Sequence, residues 1–199
     1  MAATSGPPTT AEAGRTQRID AIRRAAIPVF AAQGYRGTSM ADLAVAAGVS
    51  RPALYQYFDD RADLFRAAFG ALLNDQADAS IAELAIDGSL AHCLDGYLQR
   101  SIGDGWAGLA ATAHGDELME TKHEFAEDVA QAATRRAQRA LRAFLRQRTD
   151  APKRTINEAL DLLILAPAGL KSDRPSIAVF RRRLSALAGA AAALLATSQ

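Results

Sequence analysis

The chain has 199 residues, 49% of them hydrophobic, with 23 Lys and Arg against 22 Asp and Glu for a net charge of +1. That apolar content supports a folded core, and the near-neutral balance excludes a nonspecific nucleic-acid coat. Abundant alanine, few aromatics and almost no β-branched runs point to an all-α fold.

The opening MAATSGPPTTAEAG has neither the basic start nor the apolar stretch of a secretory signal, and its Pro, Thr and Gly suit a disordered leader over residues 1–14. Ile19, Ile22, Ala26, Val29 and Phe30 then recur at helical spacing, with Arg18, Arg23 and Arg24 off the stripe. This predicts a first helix from about Arg15 to Gly34, a natural left-handed end, with a bend at Pro28. In the next stretch Thr38 and Ser39 are N-cap candidates, and Met40, Leu43, Ala44 and Ala47 give a second helix its inner face. Gly48 permits a turn with positive φ. Ser50 caps a third helix, with Pro52 in its first turn and Leu54 and Phe58 towards the core. Asp59 or Asp60 caps a fourth, carrying Leu64, Phe65, Ala68 and Leu72. Two short helices about a glycine turn, the second with a polar outer face, make a helix-turn-helix pattern and predict a DNA-binding domain over residues 15–70.

The run GTSMADLAVAAGVSRPALYQYFDDRADLF resembles the DNA-binding domain of the TetR (tetracycline-repressor-like) family. The shared features are the Gly-Thr/Ser start, the Ala-x-x-Ala-Gly-Val-Ser turn, Leu-Tyr-x-x-Phe and an acid-rich opening to helix 4. Departures are Pro28, Tyr57 where His is common, and Arg61 where Lys is usual. Ser50, Arg51, Pro52, Ala53, Tyr55, Gln56 and Tyr57 then enter or flank the major groove. Arg51 can donate twice to guanine and Gln56 can pair with adenine, while Pro52 and Ala53 offer only apolar contact to thymine methyls. The plainer reading makes Arg51 and Gln56 solvated surface and Tyr57 a packing residue. The resemblance implies that Tyr55, Tyr57 and Arg61 contact phosphates, and the amides of Thr38 and Ser39 are candidates for another at the start of helix 2.

Residues 71–199 are expected to form a larger helical effector-binding and dimerisation domain. Helical stripes run through Leu90, Leu94, Tyr97 and Leu98, through Trp106, Leu109 and Ala110, and in one long stretch from Leu118 to Leu145. The latter carries Arg135, Arg136, Arg139, Arg142 and Arg146 on its other side, read as a solvated face. Further helices are expected over about Thr155–Leu170 and Ile177–Ala196. No apolar run reaches the roughly 18 to 20 uncharged residues of a bilayer span, so no membrane partner is expected. A lone Cys93 excludes an internal disulfide and suits the cytoplasm.

What the resemblance implies for this part is a homodimer through the last two helices, with Leu160, Leu163, Ile164, Leu184, Leu187, Ala190 and Leu194 as interface candidates. It also implies a pocket for a small-molecule effector, for which Tyr97, Trp106, Met119, His123, Phe125 and Phe144 are the large lining candidates. The function expected is a sequence-specific regulator, a repressor by family habit, bound as a dimer to a palindromic double-stranded DNA operator and released by that effector. The alternative is a helical protein with a metal or small-molecule enzymatic site around His114 and His123, which share a polar segment with Glu120. No HExxH, Cys pair, phosphate loop or nucleophile motif supports it, so neither cofactor, metal nor catalytic residue is expected.

Overall fold

The computed structural model describes residues 10–197, and among these only helices and their connections occur. In chain order they are α1 (Thr10–Gly37), α2 (Met40–Ala46), α3 (Arg51–Leu54), α4 (Arg61–Glu83) and α5 (Leu90–Leu98). A π-helical segment, Gln99–Gly103, joins α5 to α6 (Asp104–Ala110). Then follow α7 (Gly115–Phe125), α8 (Glu127–Arg148), α9 (Lys153–Leu170) and α10 (Ile177–Ala196). Of the leader expected over 1–14, residues 1–9 lie outside the described residues, and Thr10–Gly14 are helical instead. Ala11 and Ala13 favour helix, and Glu12 sits in the first turn, where the helix dipole favours an acid.

The residues form two compact units, one running to Ala71 and including His114–Ala126, the other holding Leu72–Ala113 and the chain from Glu127 on. In the first unit Ile22, Ala26 and Phe30 of α1 are buried with Leu43, Leu54, Leu64 and Phe65. Helical dihedrals persist through Pro28 and break only at Gly34, where φ is 72° and ψ 170°. Phe65 stacks on Phe69 at 4.2 Å and meets Phe30 edge-on at 5.1 Å.

The sequence reading put everything after residue 70 in the second domain, but α7 packs on α1 in the first unit. Three contacts hold it there. The Arg36 amide donates to the Glu117 carboxylate at 2.7 Å, Phe125 lies 5.4 Å from Tyr35, and Arg66 donates to the Phe125 carbonyl at 3.1 Å. The long helix expected from Leu118 to Leu145 is accordingly two, interrupted at Ala126 with φ −134°.

In the second unit, Leu94 and Leu98 of α5, Leu160 and Leu163 of α9, and Phe180 and Leu184 of α10 share one core. On α8, Ala133, Ala137, Leu141 and Leu145 are buried while Arg135, Arg139, Arg142 and Arg146 are exposed as expected; Arg136, expected on the same face, is half-buried and donates to Asp78 and to the Asn74 carbonyl. No helix among the described residues is long and apolar enough to cross a membrane.

Candidate functional site

Ser39 opens α2 with a capping box: its hydroxyl accepts from the Asp42 amide and the Asp42 carboxylate accepts from the Ser39 amide at 2.9 Å. These bonds hold the Asp42 carboxyl below its ordinary range, the side-chain bond from Ser39 being the main cause. Gly48 turns the chain with φ 64°, and Ser50 caps α3 through the Ala53 amide at 3.2 Å. Asp60 rather than Asp59 caps α4, accepting from the Asp63 amide at 2.8 Å.

α3 has only four residues, too few to hold together by their own hydrogen bonds. Leu54, its last residue, at 0% exposure and Phe58, just beyond it, at 4% fasten it to the core. Between and before these anchors Arg51, Pro52, Tyr55 and Gln56 are exposed, Ala53 and Tyr57 half-buried, with Tyr55 and Gln56 in the turn that follows the helix. The Arg51 guanidinium lies 5.8 Å from the Tyr55 ring. Five of the expected contact residues, Ser50 among them, are therefore exposed within one short stretch.

Three others are engaged internally. Thr38 is 1% exposed, its hydroxyl donating to the Gly34 carbonyl at 2.6 Å and its amide to the Tyr35 carbonyl at 3.3 Å. The Ser39 amide is taken by Asp42. The expected phosphate site at these two amides is therefore not presented, because the capping box and the Gly34 turn consume their donors. Arg61 donates to the Thr38 and Arg36 carbonyls and lies 4.2 Å from the Tyr35 ring, tying α4 to the end of α1. Two candidates escaped the sequence reading: Arg15, whose guanidinium lies 5.5 Å from the Tyr57 ring, and Val45, 82% exposed on α2.

The second unit contains a cavity of about 180 Å³. Of the six side chains expected to line a pocket, Tyr97 does. Trp106 packs instead on Phe180 at 5.8 Å, Phe144 lies against the core, and Met119, His123 and Phe125 belong to the first unit. The cavity's polar lining is Gln76, Tyr97, Ser101, Thr134 and Gln138, and the rest is aliphatic. Burial pushes the Tyr97 phenol up to about 12. In the polar segment, His114 Nδ1 faces Glu117 at 3.4 Å rather than Glu120. Among the described residues no three His, Cys, Asp or Glu side chains are grouped to hold a metal ion.

Leu160, Leu163 and Leu184, expected at a dimer interface, are at most 1% exposed within this chain's own core. Ile164 is half-buried and lines the cavity, Leu187 and Leu194 are half-buried, and Ala190 is exposed. Leu162 and Leu165, unremarked in the sequence, are 41% and 67% exposed.

Residues 22–68 match the family profile described as bacterial regulatory proteins, tetR family. An uncharacterised HTH-type transcriptional regulator of Bacillus subtilis (strain 168), YezE, is 31% identical over 91 residues, 45% of this chain and 47% of that protein. The match thus spans about half of that relative's length. A tetR-family transcriptional regulator from Streptomyces coelicolor shares the fold with a TM-score of 0.60 and 21% identity, over 92% of this chain and 82% of the other. The regulator FadR from Bacillus subtilis, solved in complex with stearoyl-CoA, aligns with a TM-score of 0.54 and 16% identity over 90% of this chain and 98% of its own.

Proposed function

We propose that this chain, whose residues 22–68 match the tetR family of bacterial regulatory proteins, is a repressor that binds a palindromic operator as a homodimer and releases it when a small molecule occupies the second unit. The family is one of transcriptional regulators rather than enzymes, and the protein works in the cytoplasm beside its DNA.

The observation that carries the reading is the exposed set Arg51, Pro52, Tyr55 and Gln56, mounted before and between the buried anchors Leu54 and Phe58. Arg51 offers a planar pair of donors for guanine O6 and N7, Gln56 a donor and an acceptor for adenine, and the Tyr55 hydroxyl a bond to phosphate. Such a short element reads three or four bases, too few to mark one place in a genome. A second copy related by a two-fold axis doubles the site and makes it a palindrome.

Dimerisation is supported by the outer face of α9 and α10, where Ala190 of the expected set is joined by residues the expected set did not include. Leu162 and Leu165 on α9 are exposed, as are Ala186, Gly189, Ala190 and Ala193 on α10, leucines and small residues of the kind that allow two copies to approach closely. The domain assignment follows: DNA reading over residues 15–70, effector binding and dimerisation in the helices beyond, with α7 serving the reading head.

The test is selection of binding sites from random DNA at defined salt, followed by gel shift on the enriched sequence. A palindrome with half-sites about one helical turn apart supports the proposal. A pool that stays random at low salt overturns it.

A further inference from the structure

The cavity of the second unit has an unusual lining for its size: five side chains able to hydrogen-bond and not one charge. Among the described residues, Gln76, Tyr97, Ser101, Thr134 and Gln138 use none of their side-chain hydrogen-bonding groups within the protein. One of these groups is costly to leave idle: the Ser101 hydroxyl is fully buried without a partner. Buried polar groups are normally satisfied, so the Ser101 hydroxyl marks a place for a ligand partner, with Tyr97, the half-buried Gln76 and Gln138 and the exposed Thr134 around the same space.

The backbone supports this. Ser101 and Ile102 both line the cavity and both lie in the π-helical segment Gln99–Gly103. π-helical turns are rare and are found frequently at functional sites, and a side-chain network braces this one. Gln99 donates to the Arg181 carbonyl at 3.0 Å, and Arg181 holds Asp104 at 2.7 Å.

We propose that this cavity takes a small uncharged molecule, about the size of a substituted benzene ring, that carries a hydroxyl or amide carbonyl group. The inference rests on the cavity being the effector site of the preceding section and names its ligand class. Volume sets the upper bound: an apolar cavity of about 150 Å³ accepts benzene, and this one, at about 180 Å³, adds room for one polar substituent. Charge sets the rest. An ionised ligand gives up its hydration here with no counter-charge in the lining, whereas phenol, hydroxyls and amides satisfy a neutral donor or acceptor of either kind. The ligand therefore differs from the stearoyl-CoA held by the FadR structure, which carries phosphates and a long chain.

Isothermal titration of the full chain tests this with shape-matched probes: benzyl alcohol and benzamide against benzoate and benzylammonium. The uncharged pair should bind saturably and at least tenfold more tightly. Tyr97→Phe and Ser101→Ala should each weaken benzyl alcohol by roughly threefold to tenfold at unchanged helical content, and Ala133→Phe, which fills the space, should abolish binding. Equal binding of the charged probes, no binding of the uncharged ones, or indifference to Tyr97→Phe would overturn the proposal. Operator release is read on the same samples by fluorescence anisotropy. Binding of benzyl alcohol without release keeps the ligand class and removes the effector role. Release by stearoyl-CoA with no binding of either uncharged probe overturns the ligand class and leaves the regulator standing.

Discussion

Alanine at Gly34 places a methyl group where the end of α1, the Thr38 turn and α7 converge. The backbone there, at φ 72° and ψ 170°, lies in a region essentially closed to side chains, which costs about 1–3 kcal/mol by itself. The new Cβ also falls on the Glu117 carboxylate and 2.8 Å from His114 Nδ1. Glu117 could swing aside cheaply as a flexible side chain, but its other oxygen accepts the Arg36 amide at 2.7 Å. Moving it forfeits that bond, about 1 kcal/mol for a carboxylate still 23% exposed. The expected loss is therefore about 2–4 kcal/mol. Gly48→Ala is the control, with φ 64° but nothing within 4 Å of the added carbon, so strain alone acts and about 1–2 kcal/mol is expected. Urea unfolding followed by far-UV circular dichroism measures both. The diagnostic is the cycle with Glu117→Ala, which should cost about 1 kcal/mol in the native background and close to nothing beside Gly34→Ala. Additive losses would refute the reasoning, since they would mean that Glu117 keeps its bond to Arg36 with the methyl present.

Arg51→Ala and Tyr55→Ala should each weaken operator binding at least tenfold in gel shift, with unfolding midpoints unchanged because both side chains are exposed. Arg61→Ala should do the reverse, losing about 1–2 kcal/mol of stability through its carbonyl bonds while the salt slope of DNA binding changes by much less than one phosphate contact. Leu165→Glu, at a 67% exposed position of α9, should yield monomers in sedimentation at micromolar protein without loss of helix. Alkaline titration at 295 nm should show a phenol ionising near pH 12 that Tyr97→Phe removes. Because burial raises this phenol above 10.0, its contribution to stability is whole below pH 10 and is lost as pH climbs towards 12.

The reading head was legible in the sequence because its determinants are local. Ser50, Gly48 and Leu54 declare cap, turn and core through spacings of two to four residues, and the structure uses them as read. Ser39 was legible as a cap but not as a spent one, since its amide is claimed by Asp42. Arg61 and Thr38 misled for a related reason: a polar residue beside a motif looks available until the tertiary structure supplies its partner. α7 was assigned to the wrong unit because its ties to Arg36 and Tyr35 cross more than eighty residues, which periodicity cannot see. The leucines of α9 show the same limit. Leu160, Leu163 and Leu165 are alike in sequence, yet only Leu165 faces outward, because the axial rotation of a helix is decided by what packs on it.

The two-anchor mounting of α3 has a consequence for how such a protein changes over time. Leu54 and Phe58 carry the folding requirement, while Arg51, Pro52, Tyr55 and Gln56 touch almost nothing that stabilises the chain. Under the proposed function, preference for one DNA sequence over another is thereby inherited separately from foldability. Duplicated copies of such a regulator can drift to new operators through these four codons without passing through unstable intermediates. The same separation makes the segment a replaceable cassette for redesigning what the protein reads.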